Sequence, residues 1–325
     1  MRFRTLGRRH DATPGPRVST LCLGTMPFGT RVDEATCFAI LDRFVERGGT
    51  FIDTANCYSF WEEGAHGGDS EEVIGRWLAA RGNRDEIVLA TKAGARPAGP
   101  GVWPANAEGL SAQALRAGVE GSLRRLGTDR VDVLFGHIED RATPQTDTVE
   151  GFGALVADGT VGIVGASNQA TWRIERARSL ARARGLAGYT CVQQQYTYLR
   201  PRPGATFGTG EHVTPELLDY ARTEKADLTL LAYTPLLSGA YTNPAKPLPA
   251  QFDHPGATAQ LAALREVARE TGATAGQVVL AWLLGGDPQI IPVIGASGLA
   301  QLDESLDALD VRLTQDQCDH LDQAG

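Results

Sequence analysis

A side chain that hands a proton to an oxygen needs an acidic hydrogen, a charge beside it and a holder for that charge. Four residues of this chain have the types for it. Asp53 and Tyr58 bound the segment Asp53-Thr-Ala-Asn-Cys-Tyr58, Lys92 closes Ile87-Val-Leu-Ala-Thr-Lys92, and His137 lies in Gly136-His-Ile-Glu-Asp140. A phenol with a pKa near 10 is a weak acid at neutral pH. A neighbouring ammonium favours the phenolate and lowers that pKa, and a shift of about three units corresponds to roughly 4 kcal/mol of differential interaction. Asp53 would hold Lys92 by a charged hydrogen bond, while His137 would donate to a carbonyl oxygen or help pass a proton. A general acid so placed contributes about 10²–10⁴ in rate. The set suits protonation of an oxygen as hydride arrives at carbon.

Lysine is scarce here: only three of 31 basic residues are Lys (Lys92, Lys225, Lys246), and one of them ends an otherwise apolar run. Taken singly, each residue has a plainer reading. Asp53 serves as a cap or ion-pair partner, His137 as a satisfied rim histidine, Tyr58 as one of seven tyrosines, and Lys92 as a structural cation. Their shared position at the ends of apolar runs favours the catalytic reading.

Eight such runs recur: Thr20–Gly24, Thr50–Thr54, Ile87–Lys92, Val131–Phe135, Val161–Gly165, Cys191–Gln195, Leu228–Tyr233 and Ile290–Ile294. Short apolar runs bounded by Gly, Asn, Asp or Pro fit buried parallel strands. Amphipathic stretches fill the gaps: Asp33–Arg47, a helix starting at a Ser70 N-cap, Ser111–Leu126, Thr146–Asp158, Gln169–Arg184, Thr214–Thr223, Ala257–Thr271 and Leu299–Leu309, with an extra helix at Ala275–Leu284. Gly127 and Gly185 read as helix C-caps. Ser70-Glu-Glu-Val and Arg173–Arg184 read as a capped helix and a solvated face. Eight strand–helix units predict a (β/α)8 TIM barrel, an α/β fold, as one domain over 1–325. An open dinucleotide-binding sheet is the competitor, but no G-x-G-x-x-G follows an early strand. Arg2–Leu6 and the segment near Val18 predict a small hairpin closing the barrel bottom. In such a barrel the chemistry sits at the C-terminal strand ends, where Ser167, Asn168, Gln193 and Tyr233 also fall.

Composition narrows the partners. A net charge of −8 without a Lys/Arg block argues against nucleic acid. No apolar run reaches the roughly 18 residues of a membrane span. The five cysteines, Cys22, Cys37, Cys57, Cys191 and Cys318, form no C-x-x-C or zinc spacing. With no apolar leader at Met1–Leu6, they read as free thiols of a cytoplasmic protein. His66, His212 and His254 lie in separate loops without metal-ligand spacing, and no metal is expected.

From Phe3-Arg-Thr-Leu-Gly7 to Gly295-Ala-Ser-Gly-Leu-Ala-Gln301, the chain resembles an aldo-keto reductase. The resemblance is carried by Phe51-Ile-Asp-Thr-Ala-Asn-Cys-Tyr58, Ala90-Thr-Lys92, Leu134-Phe-Gly-His137, Val164-Gly-Ala-Ser-Asn168 and Gln193-Gln-Gln-Tyr196. It implies a (β/α)8 barrel that binds an extended nicotinamide dinucleotide and reduces an aldehyde, ketone or sugar-like carbonyl. Tyr58 would be the general acid/base, tuned by Lys92 and Asp53, with His137 positioning the carbonyl. Ser167, Asn168 and Gln193 match positions that hold the nicotinamide carboxamide, and Tyr233 matches the aromatic that stacks on its ring. Thr234, Leu236, Ser238 and Gly239 match a segment wrapping the pyrophosphate. Gly295, Ser297, Gln301 and Glu304 match the adenosine end. The cofactor so implied is NADPH, with NADH as the alternative, because Ser297 stands where relatives commonly have Lys or Arg. Ser305 likewise stands where relatives often have Asn.

Substrate contacts are expected from Trp61, from Trp103 in the loop Ala93–Leu110, and from the Gly/Pro-rich insertion Leu199–Val213. Little sequence after Leu313 remains to wall in the substrate, so an open pocket with aromatic residues near its entrance is expected. Two other classes remain in play. One is a nicotinamide-sensing regulatory protein without turnover. The other is a metal-dependent hydrolase, which would need more than the single strand-end histidine.

Overall fold

A computed structural model describes residues 1–324 of the chain. Near the N-terminus, β1 (Phe3–Thr5) and β2 (Arg17–Ser19) form the two-stranded antiparallel hairpin. Eight strands then pair in parallel around a closed barrel: β3 (Cys22–Gly24), β4 (Phe51–Asp53), β5 (Val88–Ala93), β6 (Val131–Gly136), β7 (Val161–Ser167), β8 (Tyr189–Gln195), β9 (Thr229–Tyr233) and β10 (Ile290–Gly295), with β10 returning to β3. Each lies on an anticipated apolar run. The helices α1 (Glu34–Glu46), α2 (Asp69–Arg81), α3 (Ala112–Leu126), α4 (Gln145–Ala157), α5 (Thr171–Arg184), α6 (Pro215–Thr223), α7 (Pro255–Thr271), α8 (Ala275–Gly285), α9 (Leu299–Asp307) and α10 (Gln315–Gln323) surround it. Gly127 and Gly185 end α3 and α5 at φ 64° and 63°, the left-handed conformation that glycine takes without a Cβ penalty.

The core divides by strand parity. Side chains alternate across a strand. Leu23, Ile52, Leu89 and Leu134 therefore pack outward against the helices, while Phe51, Ala90, Val133, Phe135, Ile163, Cys191, Leu231 and Val293 fill the barrel interior. Leu6 and Val18 belong to that interior cluster, so the hairpin caps the barrel at the strands' N-terminal end. Two residues beyond an interior side chain, the same parity delivers Asp53, Lys92, His137, Gln193, Tyr233 and Gly295 to the opposite mouth. A strand's apolar positions thus fix which of its terminal residues face the site.

Two expectations need correcting. Gly68, not Ser70, caps α2. Ser70 is fully buried in the first turn, where its hydroxyl donates to Thr25 O at 2.9 Å. Its neighbour Glu71 is also fully buried, accepts from Thr91 Oγ1 at 2.5 Å and pairs with Arg125 at 2.7 Å. This helix start therefore braces β3 and β5 below the mouth. The α5 arginines are not uniformly solvated, because Arg178 is buried and donates to Tyr220 OH and Glu224 at 2.5 and 2.9 Å. The tail folds as α10, held by a capping box at Thr314 and Gln317, with Leu321 buried.

Candidate active site

At the C-terminal mouth, β4 and β5 present the buried pair Asp53 and Lys92, whose side chains are each 1% exposed. The Lys92 ammonium spends all three donors: on Asp53 Oδ2 at 2.5 Å, on Thr54 O at 2.8 Å and on the Tyr58 hydroxyl at 2.8 Å. Gln193 Nε2 donates to the other Asp53 oxygen at 3.0 Å. A buried charge pair is tolerated when its geometry is good and its remaining hydrogen-bonding capacity is met, and both conditions hold.

The expected lowering of the phenol's pKa is reversed. Burial, and then the Asp53 carboxylate, push Tyr58 well above its ordinary value. Lys92 meets Tyr58 as a hydrogen-bond donor to the phenol oxygen. Because the phenol oxygen accepts from Lys92, its own proton remains available to another acceptor. His137 meets the Tyr58 ring edge to face, with centroids 5.7 Å apart. Its backbone is fixed by donation to Ala93 O at 2.8 Å and acceptance from Asn168 Nδ2 at 2.9 Å. Burial, followed by the Lys92 charge, pushes its imidazole well below the ordinary value, so the ring is neutral.

A cavity of about 720 Å³ opens above these groups. Asp53, Tyr58 and His137 line its floor, while Lys92 lies beneath, reached through Tyr58. Ser167, Asn168, Gln193, Tyr233, Thr234, Leu236, Ser238, Gly239, Gly295, Ser297, Gln301 and Glu304 line the same cavity, as do Trp61 and Trp103. Asn168, at φ 54°, uses its whole amide. Nδ2 donates to His137 O and Ser167 Oγ, while Oδ1 accepts from Tyr233 OH at 2.8 Å and Glu211 N at 3.0 Å. It therefore ties three barrel strands to the insertion at 199–213.

The structure also shows what a nicotinamide dinucleotide would meet. Thr234, Leu237 and Ser238 hold φ values of 53°, 47° and 56°, followed by Gly239 at 94°. Positive φ costs non-glycine residues roughly 1–3 kcal/mol each and concentrates at ligand clamps. Successive turns of this kind aim backbone N–H groups into an anion-binding nest. At the far end Ser297 N and Oγ both donate to Gln301 Oε1, at 2.9 and 3.2 Å, and Glu304 accepts from Thr274 Oγ1 at 2.8 Å. The cavity's size, its clamp and its polar ends fit such a cofactor. Among the described residues, no group of three or more His, Cys, Asp or Glu converges to hold a metal.

Residues that sequence reasoning missed also shape the cavity. Lys246 enters from the segment after β9, donating to Ser238 O at 2.5 Å, while the 199–213 insertion, expected near the pocket, contributes Phe207, Thr209 and Gly210 as a wall. The scarcity of lysine was a signal for Lys246 as much as for Lys92. Cys57 joins the lining beside Tyr58. At the entrance Phe60 contacts Trp61 and Trp103, with centroids 5.1 and 5.6 Å apart. Trp103 is anchored by its indole N–H on Ala95 O at 2.8 Å. All five cysteines are free, and no helix among the described residues is long and apolar enough to cross a membrane.

Comparison with known proteins agrees with this geometry. Residues 20–325 match the Aldo/keto reductase family. The norsolorinic acid reductase stcV of Emericella nidulans is 36% identical, over 93% of this chain and 77% of that protein. The uncharacterized oxidoreductase YrpG of Bacillus subtilis is 34% identical over 97% and 93%, respectively. The aryl-alcohol dehydrogenase GME11368 of Pestalotiopsis microspora is 30% identical over 98% and 81%. With a closed eight-stranded barrel, a dinucleotide-sized cleft and this match along nearly its whole length, the chain belongs to the aldo/keto reductase family and is an NAD(P)H-dependent oxidoreductase.

Proposed function

We propose that the protein reduces the carbonyl group of an aromatic aldehyde or ketone to an alcohol, with Tyr58 as the general acid and NADPH as the cofactor. One observation carries the chemistry: Lys92 donates to the Tyr58 oxygen, which leaves the phenol proton beside His137 on the cavity floor. When bound, a nicotinamide dinucleotide supplies the hydride. Tyr58 and His137 hold the carbonyl oxygen between two donors. As that oxygen gains alkoxide character it becomes more basic than a phenolate and takes the Tyr58 proton. The Lys92 bond then strengthens, because it meets a phenolate oxygen in place of a phenol. A contact that tightens during the reaction lowers the barrier rather than merely aiding binding. Asp53 keeps Lys92 aimed throughout.

The substrate class follows from the entrance. Phe60, Trp61 and Trp103 offer ring faces to a planar aromatic group, and two relatives are named for norsolorinic acid and for aryl alcohols. For the cofactor, Ser297 offers a 2′-phosphate a hydroxyl without a charge, and Glu304 places a carboxylate at the same end. NADPH and NADH should therefore bind within about tenfold of each other.

A panel of aryl, alkyl and sugar carbonyls, assayed by NADPH oxidation, tests the reading. Aryl substrates should give the highest kcat/KM. Tyr58→Phe should lower kcat by about 10²–10⁴ while the dinucleotide Kd from fluorescence titration stays within twofold. Tight cofactor binding with no turnover across the panel would instead favour a sensor, against which the intact Asp53–Lys92–Tyr58 network stands.

A further inference from the structure

The orientation of His137 raises a question that its backbone contacts leave open. Those contacts fix where the residue sits but not which ring nitrogen carries the proton, and in a neutral imidazole one nitrogen donates while the other accepts. Tautomers are usually set by what the other nitrogen bonds to, often a carboxylate or backbone carbonyl. No carboxylate performs that task here, because Asp53 is committed to Lys92 and Gln193. The partner of His137 Nδ1 is the Cys57 sulfur, 3.3 Å away. Cys57 is 2% exposed and immediately precedes Tyr58, so the general acid and the histidine's contact share one short turn.

We propose that Cys57 is a positioning residue whose thiol donates to His137 Nδ1 and so fixes the ring as its Nε2–H tautomer. Burial pushes the Cys57 thiol up to about 12, and it pushes the imidazole down. A thiol and a neutral ring therefore face each other across the neutral pH range. Sulfur is a weak acceptor, whereas the imidazole lone pair is a strong one, so the proton between them belongs to sulfur. The ring's own hydrogen then sits on Nε2, the nitrogen without a protein partner. Both polar tips at the cavity floor become donors, Tyr58 O–H and His137 Nε2–H, which is the arrangement a carbonyl oxygen requires. The opposite tautomer would put a lone pair there, repelling the carbonyl oxygen and competing for the Tyr58 proton.

This inference rests on the reading of His137 as a donor to the substrate carbonyl, yet its first test does not depend on turnover. In ¹⁵N-histidine-labelled full-length protein, long-range ¹H–¹⁵N spectra report the tautomer directly, and His137→Gln assigns the signals. Wild type should show a protonated Nε2 and a bare Nδ1, unchanged between pH 6 and 8. Cys57→Ala should mix the tautomers and lower kcat for an aryl aldehyde about 3- to 10-fold, the effect of one net hydrogen bond, with the NADPH Kd unmoved. Cys57→Ser, which keeps an O–H donor, should recover the Nε2–H signal and most of kcat. An Nδ1–H tautomer in wild type would overturn the proposal, as would Cys57→Ala with an unaltered tautomer. Should Cys57→Ala fail to fold, the wild-type spectrum and Cys57→Ser still decide. An Nε2–H ring in a protein whose turnover survives Tyr58→Phe would defeat the general-acid reading and leave the role of Cys57 standing.

Discussion

Replacing Lys92 by Met removes the partner of a carboxylate that is 1% exposed and leaves Asp53 with a single donor, Gln193 Nε2. Breaking a buried pair in this way costs about 3–5 kcal/mol. Lys92→Met should therefore lose about 3–5 kcal/mol of stability relative to wild type. Asp53→Asn placed in the Lys92→Met background removes the stranded charge and should recover about 2 kcal/mol or more, a coupling expected only of groups in contact. Equilibrium urea unfolding followed by tryptophan fluorescence measures the wild type, the two single variants and the double variant. A loss below about 1 kcal/mol, or additive effects in the double variant, would refute the account of Lys92 as the counter-ion of a buried Asp53.

Two further outcomes follow from single residues. His212 packs against Phe207, Tyr196 and Phe252, donates from Nδ1 to Val213 O, and is lowered by burial to about 4. Its folded pKa lies below the unfolded value near 6.5, so its contribution is complete above pH 6.5 and is lost as pH falls towards 4, by about 3 kcal/mol in total; His212→Phe should flatten that part of a stability–pH curve, and an unchanged slope would refute it. Ser297→Arg should tighten NADPH by about 5- to 30-fold, with NADH changed less than twofold in fluorescence titration, because a charged fork would offer a 2′-phosphate what a serine hydroxyl cannot.

The barrel was legible because its apolar runs are short, evenly spaced and capped by residues with local signals. Asp33, Ser111, Thr214 and Thr274 accept helix N–H bonds where the sequence placed helix starts. Ser70 misled because an N-cap and a buried hydroxyl look alike in sequence; only the approach of Thr25 and Thr54 shows which it is. Arg178 misled in the same way, since burial of one arginine among several depends on Tyr220 and Glu224, more than 40 residues away.

The sequence by itself determined which residues reach the mouth, because strand alternation is a local rule that carries Asp53, Lys92, His137, Gln193 and Tyr233 to one side. Tertiary structure alone decided their electrical state. The phenol's pKa rises rather than falls because burial excludes water and the Asp53 carboxylate lies close by, and both facts belong to three-dimensional packing. It also decided that Cys57 meets His137 across 80 positions, that the 199–213 insertion forms a wall, and that Lys246 returns to Ser238. Such contacts join segments whose meeting no spacing records, since the enclosing barrel sets their distance and the chain between them does not.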